Sequence, residues 1–436
     1  MEIDKTTLQD LAIFGNAQED GVFECFNHTR TVAGKHQLYK NLSAPLSNLE
    51  SIQGVAETLR KVSGFPWPAT ISNGTLMVVE QFMEARIDPV PRHPNALNAW
   101  AYKIFNHGDY ALCRYSVEHY ATFFRGLKEI ITLFSGTENP APLARLLDTI
   151  ETHLKDESVQ LLCNQKDITK LPPATLLRLA HLLRYTYKRH VPALITAYAQ
   201  LDAWYAVGIA AAKHGLTEVH WTDSTEPVLD AVSLFHLLLP QPVPYSIRLD
   251  QDANFLFLTS ANMAGKSTFI KAIGIAVYLA HCGFPVPAQS LTLSLMDGML
   301  SNIHIADNLS KGESYFYNEV KRISGTVSKI QNGKKWLVLI DELFKGTNVQ
   351  DAMKCSTVVI EGLLKIRSAL FILSTHLYEI AEQLSHHPNI RFVHFETTIE
   401  NDQPVFHYTL KEGVSNDRLG YLILKQSGVV KMLNDL

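Results

Sequence analysis

Three short runs in the second half of the chain hold the residue types that phosphate chemistry needs. In the first, FLFLTSANMAGKSTFIKAI, an apolar strand-like stretch (255–259) stops, the chain turns through residues 261–265, and a helical pattern begins. Backbone N–H groups in such a turn point inward and cradle phosphate oxygens, and the positive end of the following helix adds to the attraction. Lys266 would reach the β and γ phosphates of a nucleotide, and the Ser267 hydroxyl would ligate Mg2+. The general loop reads G-x-x-x-x-G-K-[ST], and Ser260 stands here in place of its first glycine. The ATP-binding residues expected from this loop are Ser260, Ala261, Asn262, Met263, Ala264, Gly265, Lys266, Ser267 and Thr268.

The second run, WLVLIDELFKGT, delivers Asp341 and Glu342 at the end of an apolar strand, where open parallel sheets place their ligands. Asp341 would hold Mg2+ through water. Glu342 would orient and polarise an attacking water, since phosphoryl transfer depends on positioning and charge stabilisation. The third run, FILSTH, ends in Ser374, Thr375 and His376, and the histidine could sense a γ phosphate by hydrogen bonding. Singly, each run has an ordinary structural explanation: a strand-to-helix turn, two solvated carboxylates, a structural histidine. Together they read as Mg2+-dependent ATP hydrolysis, with Glu342 and His376 as the catalytic pair.

The elements that must carry these residues follow from periodicity. Up to about residue 215 the chain reads as helical, with apolar residues at three- and four-residue spacing over 46–62, 115–134, 142–154, 175–187 and 193–214. Beyond it, short apolar runs at 255–259, 336–340, 369–374, 391–396 and 406–410 read as strands, and a helix is expected over 267–282. Strands separated by helices predict a largely parallel sheet covered on its faces.

Composition sets the limits. The chain has 436 residues, enough for about two to four domains. Its net charge is -4, so nucleic-acid binding would need a local basic patch or a clamp made by an oligomer. The five cysteines are dispersed with no CxxC pair, which argues for a reducing compartment and against a disulfide framework or zinc site. The first residues, MEIDKTTLQD, have no apolar signal region, and the most apolar helix is short for a membrane span. A cytoplasmic protein without membrane association is expected.

These residues resemble the MutS family of DNA mismatch-repair ATPases. The family loop T-G-P-N-M-x-G-K-S-T is met by residues 259–268, and its Asn-Met pair, here Asn262-Met263, is more specific than the general loop. Gly283, Val286, Pro287 and Ala288 resemble G-x-x-V-P-A. Asp307, Leu309, Gly312, Ser314, Phe316 and Glu319 resemble D-D-L-x-x-G-x-S-T-F-x-x-E. DELFKGTNVQD resembles D-E-x-G-R-G-T-x-x-x-D, and Gly413, Ser415 and Gly420 resemble a closing G-x-x-x-S-x-x-G. Toward the start, Thr29, Thr31, Gly34, Leu38, Pro45 and Leu46 resemble the family's helical core, and LDAWYAVGIAA resembles its returning lever helix.

The resemblance implies an all-α core and lever domain at 1–214 and an α/β P-loop ATPase domain of the ABC type, with a largely parallel sheet, at 215–436. It implies a homodimer in which Ser314 reaches the partner's ATP, and it offers His394 as a contact to the base. Several positions depart from the family pattern. Ser260-Ala261 replaces Gly-Pro, Phe344-Lys345 replaces Gly-Arg, and Glu313 replaces an arginine. Pro242, Val243 and Tyr245 stand where an aromatic and an asparagine often lie near adenine. The match starts near Leu8, so the family's mismatch-reading and connector domains are not expected, and GVFECF at 21–26 has the wrong spacing for its Phe-x-Glu wedge.

The first expectation for function is therefore a DNA-binding ATPase whose dimeric clamp serves mismatch repair or DNA maintenance. The basic-aromatic stretch RYTYKRH (184–190) is a possible DNA contact, though such a stretch is more simply a solvated helix face. The alternative is a nucleotide-switched assembly or scaffold ATPase that does not recognise mismatches, separable by the steep salt dependence that real phosphate contacts give.

Overall fold

The computed structural model describes residues 1–436 except 17–18, 166, 262, 304–314, 401–402, 416–423, 426 and 435–436. The chain forms two compact units. One comprises Phe26–Ala44 and Gln53–Ala210, and the other Met1–Cys25, Pro45–Ile52 and Ala211–Leu436. A single boundary after residue 214 therefore misses two N-terminal segments, which pack with the C-terminal unit.

The first unit is helical among the described residues. Its longest helix, His107–Phe134, buries Tyr110, Cys113, Val117, Tyr120, Phe124 and Leu127, a stripe at alternating three- and four-residue spacing. Side-chain caps set helix starts: Thr31 accepts from the N–H of Gly34, Ser72 from that of Thr75 and Asn95 from that of Asn98. The buried Asp202 carboxylate accepts from the N–H groups of Arg30 and Thr31 and from the Thr31 hydroxyl. Gly34 must be glycine there, because a Cβ would lie 2.1 Å from Asp202 Oδ2. The region expected as one helix over 175–187 is a helix at Pro173–His181 followed by a π turn at Leu182–Thr186. That turn lets the Arg184 guanidinium bond the carbonyls of Phe82 and Ala85, which close the helix Asn73–Glu84. Arg184 thus has a structural role within RYTYKRH, while Lys188 and Arg189 are exposed.

The second unit holds eleven strands among the described residues. They are β1 (Glu2–Ile3), β2 (Val219–Thr222), β3 (Leu229–Leu234), β4 (Tyr245–Leu249), β5 (Phe255–Thr259), β6 (Ser290–Ser294), β7 (Gly298–Asn302), β8 (Trp336–Asp341), β9 (Ala369–Thr375), β10 (Ile390–Glu400) and β11 (Gln403–Glu412). The main sheet runs β1-β7-β8-β9-β5-β10-β11, and β2-β6-β3-β4 forms a second one. Every pairing in the main sheet is parallel except β10 with β11. Strands β5, β7, β8 and β9 are buried at every position, which is why β5, β8 and most of β9 read as apolar runs. Parallel pairing aligns their C-terminal ends along one edge: Thr259 is opposite Thr375, and Asp341 is opposite Ser374. No helix among the described residues is long and apolar enough to cross a membrane, and all five cysteines are free.

Candidate active site

The chain leaves β5 at Thr259, passes a loop, and enters the helix Lys266–His281. Gly265 takes φ +97° at the N-cap, a left-handed conformation that glycine adopts without steric cost. A glycine cap supplies no side-chain acceptor, so the helix's first N–H donors are left to other acceptors. Met263 is also left-handed, at φ +70°, and is 72% exposed. The Tyr408 ring lies against the turn, 3.3 Å from where a Cβ on Gly265 would sit.

Lys266 is buried, and its Nζ donates to the carbonyl oxygens of Ser260 (2.9 Å) and Ala261 (3.1 Å). Burial pushes its pKa down to about 8. The carboxylates of Glu342 and Asp341 pull it back up, and Lys345 lowers it further. The Asp341 carboxylate accepts from the Ser267 hydroxyl through one oxygen and from the Ser374 hydroxyl through the other. Strand β8, strand β9 and the helix after the loop therefore meet on one carboxylate.

Glu342 takes φ +66°, and its N–H donates to Ser374 O at 2.9 Å. Its Oε1 lies 3.1 Å from His376 Nε2, and its Oε2 lies 3.5 Å from Lys345 Nζ. Burial raises the Glu342 pKa. The His376 hydrogen bond and the charges of Lys345, His376 and Lys266 outweigh that effect and hold the carboxyl below its ordinary value. His376 Nε2 is also 3.3 Å from Lys266 Nζ. Bare Nε2 can accept from the ammonium, and protonated Nε2 can donate to Glu342, so the ring bonds one or the other charge according to its tautomer.

The donor set suits Mg2+, a hard cation that takes oxygen ligands. Ser267 and Asp341 offer a hydroxyl and a carboxylate already in contact. The buried Ser260 hydroxyl, at the loop's start, has no hydrogen-bond partner among the described residues, so a polar atom in the loop is left for a ligand.

The residues expected from sequence converge unevenly. Ser260, Lys266, Ser267, Asp341, Glu342 and His376 are joined by the bonds above. Ala261 and Ala264 are buried in the loop, and Thr268 lies in the first turn of its helix. His394 stands on β10 opposite Thr259, and its Nδ1 is buried with no partner among the described residues. Ser415, from the closing motif, donates its N–H to the Thr259 hydroxyl at 2.9 Å. Asn262, Ser314 and Gly420 lie outside the described residues. Sequence reasoning missed the contacts of Ser374 with Asp341, Lys345 with Glu342 and Tyr408 with the loop. Only Lys345 left a signal, as a cation three residues after Glu342.

Comparison with known proteins bears on this same segment. Residues 256–433 match the family model of MutS domain V. A DNA mismatch repair protein MutS from Streptococcus sanguinis is 32% identical over 194 residues, covering 44% of this chain and 22% of the relative. One from Lactococcus lactis subsp. lactis is 28% identical over 255 residues, 57% of this chain and 30% of the relative. The DNA mismatch repair protein MSH3 of Candida glabrata is 31% identical over 257 residues, 56% of this chain and 25% of the relative. The chain thus spans less than a third of the length of these relatives. The turn at Gly265, the acidic pair and the strand end at His376 all fall inside the segment that matches MutS domain V.

Proposed function

We propose that the C-terminal unit is a P-loop ATPase domain of the ABC type, and that the chain binds and hydrolyses ATP with Mg2+ as a DNA-associated homodimer of the mismatch-repair or DNA-maintenance kind. The observation that carries this reading is the convergence of Ser267 and Lys266, after the loop, with Asp341 and Glu342, from a different strand. Lys266 would release the Ser260 and Ala261 carbonyls and take up phosphate oxygens. Ser267 and Asp341 would hold Mg2+, which neutralises phosphate charge. Glu342 would accept a hydrogen bond from the attacking water and draw its proton. Its depressed pKa keeps it ionised at neutral pH. His376 would steady Glu342 and face the γ phosphate. His394, whose buried Nδ1 has no partner among the described residues, is the candidate contact to the base.

Ser314 would complete the partner's site, so the ATP-bound form would be the closed dimer. The DNA role comes from the names of the relatives, all DNA mismatch repair proteins. A cytoplasmic location accords with the free cysteines. Calorimetry on Lys266→Ala tests the core of the reading. ATP affinity should fall at least about tenfold while the fold persists, since charge-assisted bonds to phosphate are lost. Unchanged ATP binding would remove the loop from the site.

A further inference from the structure

The carboxylate of Glu319 is 2% exposed and is held by two backbone donors. It lies on the helix Tyr315–Ile330, and it accepts from the N–H of Lys345 at 2.9 Å and from the N–H of Gly346 at 3.1 Å. Those two residues belong to the turn that follows Asp341 and Glu342. The turn is strained: Glu342 and Phe344 both take positive φ, +66° and +59°. Non-glycine residues stay in that region only where the surroundings enforce it.

Three contacts do so. Glu319 bridges two consecutive N–H groups. The Phe344 ring packs on Phe316, one helical turn before Glu319, with centroids 5.6 Å apart. Gly346 lies so close to the helix that a Cβ there would be 2.7 Å from Phe316 N. The helix itself is fixed to β7, because Arg322 bonds Asn302 (2.7 Å) and the Ser301 carbonyl (2.6 Å). The turn thus has a rigid anchor on one side and the Glu342 side chain on the other. The link between them is Lys345, whose backbone N–H is held by Glu319 and whose Nζ lies 3.5 Å from Glu342.

We infer that Glu319 is a positioning residue for hydrolysis: by fixing the backbone at Lys345 and Gly346 it aims the Lys345 ammonium and the Glu342 carboxylate at the reacting water. This inference rests on the ATPase reading above. Glu319 holds the backbone of the turn rather than Lys266, Ser267 or Asp341, so its removal should leave ATP binding intact and slow the chemical step.

The test is Glu319→Gln. Its amide has one carbonyl oxygen, so one of the two N–H groups must face an NH2 instead. Losing one charge-assisted bond predicts a fall in kcat on the order of tenfold or more, with KM and the calorimetric ATP affinity within about twofold of wild type. Amide hydrogen exchange of the same variant should quicken at Lys345 and Gly346 while the central strands keep their protection. Wild-type kcat in Glu319→Gln would overturn the inference, as would unchanged exchange at those two amides. A parallel loss of kcat, ATP affinity and global stability would assign Glu319 a general structural role and also overturn it. Failure of the ATPase reading is separately visible, since the wild-type chain would then show no Mg2+-dependent turnover in the same assay.

Discussion

Raising the pH should loosen ATP from this site before it harms the fold. Lys266 is the group responsible. Burial among loop carbonyls lowers its pKa to about 8, from 10.5 for an ordinary lysine, and Glu342 and Asp341 recover only part of the loss. At pH 7 about nine in ten of these ammonium groups are charged, and at pH 9 about one in ten. A phosphate bound to the ammonium favours its charged form, so binding above pH 8 must take up a proton. ATP affinity should then fall roughly tenfold between pH 7 and 9, or about 1.4 kcal/mol, most of it above pH 8. Stability moves the other way. The folded pKa lies below the unfolded one, so the native state binds fewer protons between about pH 8 and 10.5, and nucleotide-free stability rises with pH across that window. The assay is calorimetric titration with ATP and Mg2+ at pH 7, 8 and 9, in two buffers of different ionisation heat. Lys266→Arg keeps its charge throughout and should flatten the profile. A wild-type affinity that stays level from pH 7 to 9, with no proton uptake, would refute either the depressed pKa or the phosphate contact.

Other perturbations separate the remaining roles. Glu342→Gln keeps shape but loses the charge that draws water's proton, so it should bind ATP with turnover reduced on the order of a hundredfold or more; near-normal turnover would shift the catalytic role to His376. Ser314→Arg should block an ATP-tightened dimer by bulk and leave single-site nucleotide binding intact. Sedimentation with ATP and Mg2+ in the Glu342→Gln background reads this, and full ATPase activity from a strict monomer at high dilution would count against a cross-subunit site. Asp202→Ala strands the N–H groups of Arg30 and Thr31 at a helix start and should cost on the order of 3 kcal/mol in urea unfolding. A change below about 1 kcal/mol would mean that water replaces the carboxylate.

The helices of the first half and the central strands were legible because local periodicity and full burial write themselves into a short window of sequence. The edges were less so. The helix expected to start at 115 begins at His107, since Tyr110 and Cys113 extend the buried stripe through a segment that opens His-Gly-Asp. The second sheet went unread. β3 contains a left-handed Ser233 and a register shift before Leu234, and β2 has no fully buried position. Such strands gain their stability from partners far along the chain, and single-strand pattern carries little of that information. β7 was missed for another reason. Gly298 and Asn302 at its ends look like turn residues, although every position of the strand is buried.

The same division holds at the site. Gly265, Lys266 and Ser267 were readable because the turn that needs them is local, whereas the grip on Glu342 comes from four separate places: β8, the turn after it, the end of β9 and the helix Tyr315–Ile330. Phe344 shows how such a grip can absorb a departure from the family pattern. A glycine would enter the left-handed region freely, and a side chain there costs about 1–2 kcal/mol. Phe344 nevertheless holds φ +59° while only 5% exposed, packed on Phe316. Burying a phenylalanine contributes about 1.5–3 kcal/mol, enough to offset that strain. The turn therefore keeps a glycine-like backbone without the glycine, held by the ring on one side and by the Glu319 carboxylate on the other. Phe344, which stands where the resembled pattern has glycine, is thus held in the left-handed region by packing of its own.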